Sequence, residues 1–271
     1  MKKVLILTIL FLTSFVPISF SQMNILSKDT AFTDTTRGKG VFYKPKKRQS
    51  PFVAEFGLGS ANIWRGVDVG KQTGVVLDAE YEPCKWATLG MKGYVAANQY
   101  RPGFGNQIVT SAKVNLYNVS LGVQDVYFEN QILSSDTDYF VFDKSKTNHF
   151  FEATFNYKGD KNTRLDFFSS MVFYQNQSYD RGAVFFQFNY HPTYNTEMFL
   201  GYVTGESQVN FQSKAGFTNV GITIKRYIEF SSKFAARAKL TVSVNPSYKT
   251  IIQPNTGVSG RPLNMALLLL F

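Results

Sequence analysis

From Pro51 to Phe271 the chain is written largely in alternating apolar and polar positions. The clearest case is 232–246. Phe234, Ala236, Ala238, Leu240, Val242 and Val244 share one face there, and Ala235, Arg237, Lys239, Thr241, Ser243 and Asn245 the other. Within 107–117, Ile108, Ala112, Val114 and Leu116 oppose Ser111, Lys113, Asn115 and Tyr117. Within 182–191, Val184, Phe186, Phe188 and Tyr190 oppose Gln187 and Asn189. A side-chain period of two belongs to a strand with unlike faces, and no helical period is sustained. Turn-rich clusters divide the region into twelve predicted strands, at 52–65, 74–82, 86–98, 107–117, 119–129, 148–158, 163–176, 182–191, 196–205, 216–229, 232–246 and 262–271.

The connections sort by side. After even-numbered strands they are short: Pro83-Cys84-Lys85, Asn118, Gly159-Asp160-Lys161-Asn162, Pro192-Thr193-Tyr194-Asn195 and Ser231. After odd-numbered strands they are long and polar: 66–73, 99–106, 130–147, 177–181, 206–215 and 247–261. A soluble sandwich has no reason to sort its loops. An outer-membrane barrel does, with short periplasmic turns and long extracellular loops. The expected fold is therefore all-β: a transmembrane, antiparallel, up-and-down β-barrel of about twelve strands over 51–271. Ten or fourteen strands stay open, because Asp138-Tyr139-Phe140-Val141-Phe142 can extend a hairpin.

Both chain ends fit that expectation. Leu263 to Phe271 is an apolar strand ending on an aromatic, an aggregation hazard unless something covers it. In a barrel it would close the sheet against the first strand, turn its apolar face to lipid and serve the barrel-assembly machinery as a handle. At the other end, Met1-Lys2-Lys3 precedes an apolar run, Val4 to Phe20, and Ser19-Phe20-Ser21 forms a cleavage site before Gln22. This predicts a secretory signal peptide over 1–21, hence a Gram-negative outer-membrane destination. No later apolar run is long enough for a transmembrane helix.

Composition narrows the rest. The lone Cys84 excludes an intramolecular disulfide framework and a cysteine zinc site, and no metal or cofactor is expected. The formal charge of +10 is mostly a tail. Segment 22–50 carries Lys28, Arg37, Lys39, Lys44, Lys46, Lys47 and Arg48 against Asp29 and Asp34. A nucleic-acid partner is therefore not expected, and 22–50 reads as a flexible basic periplasmic segment. Partners would be outer-membrane lipid and a small polar solute, the barrel standing as a monomer.

One local pattern has a family likeness. Ser60-Ala61-Asn62-Ile63-Trp64-Arg65-Gly66-Val67 resembles the aromatic-Arg-Gly motif near the mature start of small outer-membrane barrels of the TorF-like group. Those are grouped as uncharacterised transporter or channel proteins, and the terminal Phe271 is shared. Asn62 stands where those relatives usually carry an aromatic. The resemblance implies a barrel or pore of undefined solute. By alternation, Trp64 would anchor at the lipid interface, as would Phe271, while Arg65 points inward as a structural latch or a solute contact. Gly66 permits the bend into the loop.

Alternation also predicts the lining. Glu55, Arg65, Asp78, Glu80, Lys92, Lys113, Glu152, Asp166, Lys225, Arg237 and Lys239 fall on the polar face. Ionisable groups at membrane depth are costly unless paired or hydrated. Two readings follow: mutual salt bridges filling a narrow interior, or a wet pore whose transverse field sorts small polar solutes. An enzyme needs a base within reach of a nucleophile or an activated water. The two histidines, His149 and His191, fall at opposite rims. His149 with Ser134, Ser135 or Asp138 is the remaining constellation, so catalysis is not expected. A porin-like channel for passive or selective diffusion is the leading expectation. A structural or adhesive surface-display barrel with no open pore is the alternative, and an outer-membrane hydrolase ranks third.

Overall fold

The computed structural model describes residues 51–69, 73–97, 106–129, 138–160, 163–175, 182–231, 234–250 and 262–271. The predicted signal peptide and the basic segment 22–50 lie outside these residues. The strands are β1 (Phe52–Gly59), β2 (Ile63–Trp64), β3 (Val67–Asp68), β4 (Gly74–Cys84), β5 (Ala87–Ala96), β6 (Gln107–Leu116), β7 (Val119–Phe128) and β8 (His149–Tyr157). They continue with β9 (Leu165–Tyr174), β10 (Val184–Thr193), β11 (Thr196–Val203), β12 (Gly216–Ser231), β13 (Phe234–Val244) and β14 (Leu263–Leu270).

All but β2 and β3 join one closed antiparallel barrel of twelve strands, each bonded to its chain neighbour. The seam pairs Gly57, Leu58 and Gly59 of β1 with Leu270, Leu269 and Leu268 of β14. Just beyond, the Phe271 N–H donates to the Phe56 carbonyl at 2.7 Å. Closure leaves no full-length edge open to another chain. The loop asymmetry holds: β4–β5, β6–β7 and β10–β11 are joined by two-residue turns. The connections β1–β4, β7–β8, β11–β12 and β13–β14 are long.

Period-two alternation sorts the side chains as expected. Phe56, Leu58, Leu89, Leu121, Phe173, Phe188, Met198 and Met265 point outward and are exposed. Such an apolar, aromatic exterior is far larger than a soluble monomer ordinarily carries. It is consistent with an outer-membrane barrel.

The first predicted strand needs correction. It does not run to Arg65 but stops at Gly59, and the chain turns back to form the small β2–β3 hairpin. Ile63 pairs with Asp68 and Trp64 with Val67. The alternation of β1 therefore does not carry through Ser60–Asn62, and the direction inferred for Trp64 from strand parity fails. The extra hairpin foreseen at 138–142 does not form: 138–148 is built of turns that lie against β7 and β8.

Candidate functional site

The β2–β3 hairpin enters the lumen at the long-loop end. Gly66 makes this entry possible. Its φ is +86°, a left-handed backbone, and a Cβ there would overlap the Thr218 carbonyl of β12. Arg65 before it is also left-handed, at φ +48°. That conformation costs a side-chain-bearing residue about 1–2 kcal/mol. What holds it is a charge-assisted fork on β8: Nη1 donates to Glu152 Oε1 at 2.8 Å and Nη2 to Oε2 at 2.6 Å.

The pair is sealed from solvent, Arg65 being 7% exposed and Glu152 0%. Glu152 also accepts from Ser170 at 3.0 Å and from Gln124. The guanidinium stacks on Trp64 and Phe185, each 4.6 Å from its centre. Its Nη1 further donates to Asn210 Oδ1 at 2.7 Å.

Asn210 belongs to a second inward loop, 204–215, pinched by reciprocal backbone bonds between Ser207 and Gln212. The Trp64 indole donates to the Val209 carbonyl there at 2.8 Å. Around both loops Val67, Val69, Val126, Phe128, Phe150, Val172, Val209 and Phe211 form a dry cluster. The hairpin spans the lumen. From the wall opposite β8, Asn264 of β14 donates to the Gly66 carbonyl at 2.9 Å, and Asn62 donates to Gln107 of β6 at 2.6 Å.

Trp64 is thus an interior residue and not a membrane-interface anchor. Its indole faces Phe128 edge-on and its N–H is spent on a loop carbonyl. The other tryptophan, Trp86, occupies the β4–β5 turn and is 60% exposed, with Tyr117 and Tyr194 exposed on neighbouring turns of the same rim. Phe271 stays exposed at that rim.

Beyond the plug the lumen is charged. Asp78, Glu80, Lys92, Lys113, Lys225, Arg237 and Lys239 keep the inward side of their strands, with Glu55 and Asp166. Several are paired. Lys92 meets Asp78 at 3.0 Å, Lys225 meets Glu197 at 3.0 Å, and Arg237 meets Glu55 across the end of β14. His191 Nε2 lies 3.0 Å from Asp166. Yet the inward side chain of Lys92 is 65% exposed, so this half is not packed solid with ion pairs. Glu197 is not marked by alternation because its inward neighbours Phe199 and Val203 are apolar and buried.

The outer face carries one polar pocket. Asp125 and His149 are cross-strand neighbours on outward positions, capped by 138–147. His149 is 0% exposed; Nδ1 faces both Asp125 oxygens at 2.8 and 2.9 Å, and Nε2 faces the Tyr139 carbonyl at 2.6 Å. Both ring nitrogens thus face oxygens of the protein. Phe142 lies 4.5 Å from the ring, and the Tyr174 hydroxyl ties down the Phe142 carbonyl. Burial first, and the Asp125 charge second, push the Tyr139 hydroxyl up to about 12. Asp138 turns its carboxylate to the Phe140 N–H, while Ser134 and Ser135 lie outside the described residues.

Comparison with protein-family models, with curated proteins and with solved structures yields no match, so the barrel stands on its own geometry. The TorF-like resemblance stays confined to the first hairpin.

Proposed function

We propose that the protein is an outer-membrane barrel acting as a gated, porin-like channel, closed at rest on the long-loop side and wet on the short-turn side. In this reading the short turns and both termini are periplasmic, and acyl chains cover the aromatic exterior. The basic segment then lies in the periplasm, and small polar solutes sample the charged cup from below. They cross only when the β2–β3 hairpin leaves the lumen. The observation that carries the reading is the hairpin's anchorage on opposite walls, through Glu152 and Asn264, above an interior in which the Lys92 side chain stays exposed.

The test is single-channel recording from the purified barrel in planar bilayers. Wild type should be mostly closed with rare openings, and Glu152→Ala should open far more often. The dry cluster around Val209 and Phe211 favours a second reading, a surface-display barrel that never conducts. If wild type and Glu152→Ala are both silent while circular dichroism shows a folded barrel, that second reading replaces the first. Neither reading assigns catalysis: the one histidine beside the long loops is buried beneath its cap.

A further inference from the structure

We infer that the wall of the cup holds a binding site for a small oxyanion, built by Lys113, Thr154 and Asn156 around Gly122. The inference deepens the proposed channel by naming the chemistry its wet half recognises.

Lys113 on β6, Gly122 on β7 and Thr154 on β8 are register partners in one row across three strands. All face inward, since Leu121 and Val123 flank Gly122 on the exposed outer face. Gly122 is needed for a specific reason. A Cβ there would lie 2.9 Å from the Lys113 Cγ and 3.1 Å from the Thr154 Oγ1. The Lys113 Cγ thus lies over Gly122, in the space a side chain would take, between its own strand and β8.

The donors it approaches are unused. Thr154 is 5% exposed, and its hydroxyl has no hydrogen-bond partner among the described residues; nor has the buried Nδ2 of Asn156 two residues on. Among the described residues Lys113 makes no hydrogen bond or ion pair, whereas Lys92, Lys225 and Arg237 are each taken by a carboxylate.

A buried polar group without a partner costs about 1–3 kcal/mol. Two such groups beside an unpaired cation are retained at a loss unless something accepts from them. An ammonium, a hydroxyl and an amide N–H₂ all donate, so the missing partner is an acceptor of negative charge. Asp78 and Glu80 on β4 lie on the other side of Lys113 and act on it electrostatically, as do Lys92 and Lys158. Asp78 is held by Lys92, and β4 lies across β5 from Lys113, on the side away from β8. A phosphate-sized anion satisfies all three groups.

Inorganic phosphate is the probe, added to the full-length barrel in detergent and followed by thermal unfolding and by calorimetric titration. The expected result is saturable binding that raises the wild-type Tm. Thr154→Val and Lys113→Met should each weaken binding at least tenfold. Without phosphate, Thr154→Val should unfold no earlier than wild type, because the methyl replaces an unsatisfied hydroxyl. Acetate in place of phosphate asks whether a carboxylate is taken instead. The inference is overturned if phosphate does not bind, or if it binds both variants as tightly as wild type (an adventitious ion only). It is equally overturned if Thr154→Val alone unfolds early in phosphate-free buffer, since that would mean the hydroxyl is already bonded. Binding is read at equilibrium without any current, so a silent barrel that binds phosphate refutes the channel and not this site.

Discussion

Arg65 grips Glu152 through two parallel hydrogen bonds of 2.8 and 2.6 Å, from a hairpin whose next residue is held by the opposite wall. This buried fork is an ionic contact that ties the inserted loop to β8. A buried pair that loses one member leaves an uncompensated charge, at about 3–5 kcal/mol. Arg65→Ala should therefore lower barrel stability by about that amount in urea titrations from lipid vesicles. Glu152→Gln keeps two acceptor or donor sites and should cost less. Equal, near-zero effects would mean the fork is solvated in the membrane-embedded protein.

Gly66 and Gly93 make a matched pair. Gly66 is left-handed and abuts the Thr218 backbone, whereas a Cβ on Gly93 would meet nothing within 4 Å. Gly66→Ala should destabilise by at least about 1–2 kcal/mol from the backbone alone and displace the hairpin. Gly93→Ala should be neutral or stabilising by up to about 1 kcal/mol. Unfolding midpoints of the two variants, measured side by side, check both.

The chain has only two tryptophans, and they report different solvents. Single-tryptophan forms, Trp64→Phe and Trp86→Phe, can be reconstituted in vesicles of brominated lipid. Emission from Trp86 should be strongly quenched, as befits an aromatic belt. Emission from Trp64 should be blue-shifted and largely spared. Quenching of Trp64 in preference to Trp86 would return the motif to the lipid interface and undo the plug.

Tyr139 should act as an alkaline latch. Its hydroxyl ionises about two units above the ordinary value of 10.0, so the folded state favours the neutral phenol. The stabilising contribution is complete below pH 10 and is lost as pH rises through about 12. Tyrosinate absorbance during an alkaline titration should include a late step near pH 12, coincident with release of 138–147 into protease sensitivity. Tyr139→Phe should remove one phenol from that step and the coincident release with it. Protease sensitivity that begins below pH 10 would place the cap under another group's control.

Much of this architecture was legible before any coordinates. Eleven of the twelve wall strands were found within a few residues, the first overrunning its end at Gly59, because unlike surroundings on the two faces of the wall force a period of two. Lys92, Lys113, Lys225, Arg237 and Lys239 could be assigned inward for the same reason. Where the rule failed, the chain had left the wall. Trp64 and Arg65 sit beyond Gly59, past a break in alternation too short to notice, and parity carried across it pointed the indole outward. Asp125 and His149 are polar on outward positions, which alternation alone reads as an anomaly; only the 138–147 cap explains them.

The sequence by itself determined the class of fold, the sidedness of the loops and the identity of the inward charges. These follow from local patterns repeated strand after strand, so each segment carries its own signal. Tertiary structure alone decided that the far half of the lumen is filled, that Arg65 meets Glu152, and that Lys113 lies beside the unpaired Thr154. Those contacts join residues far apart in the chain, or depend on a missing Cβ, and a one-dimensional pattern holds no record of which loop folds inward.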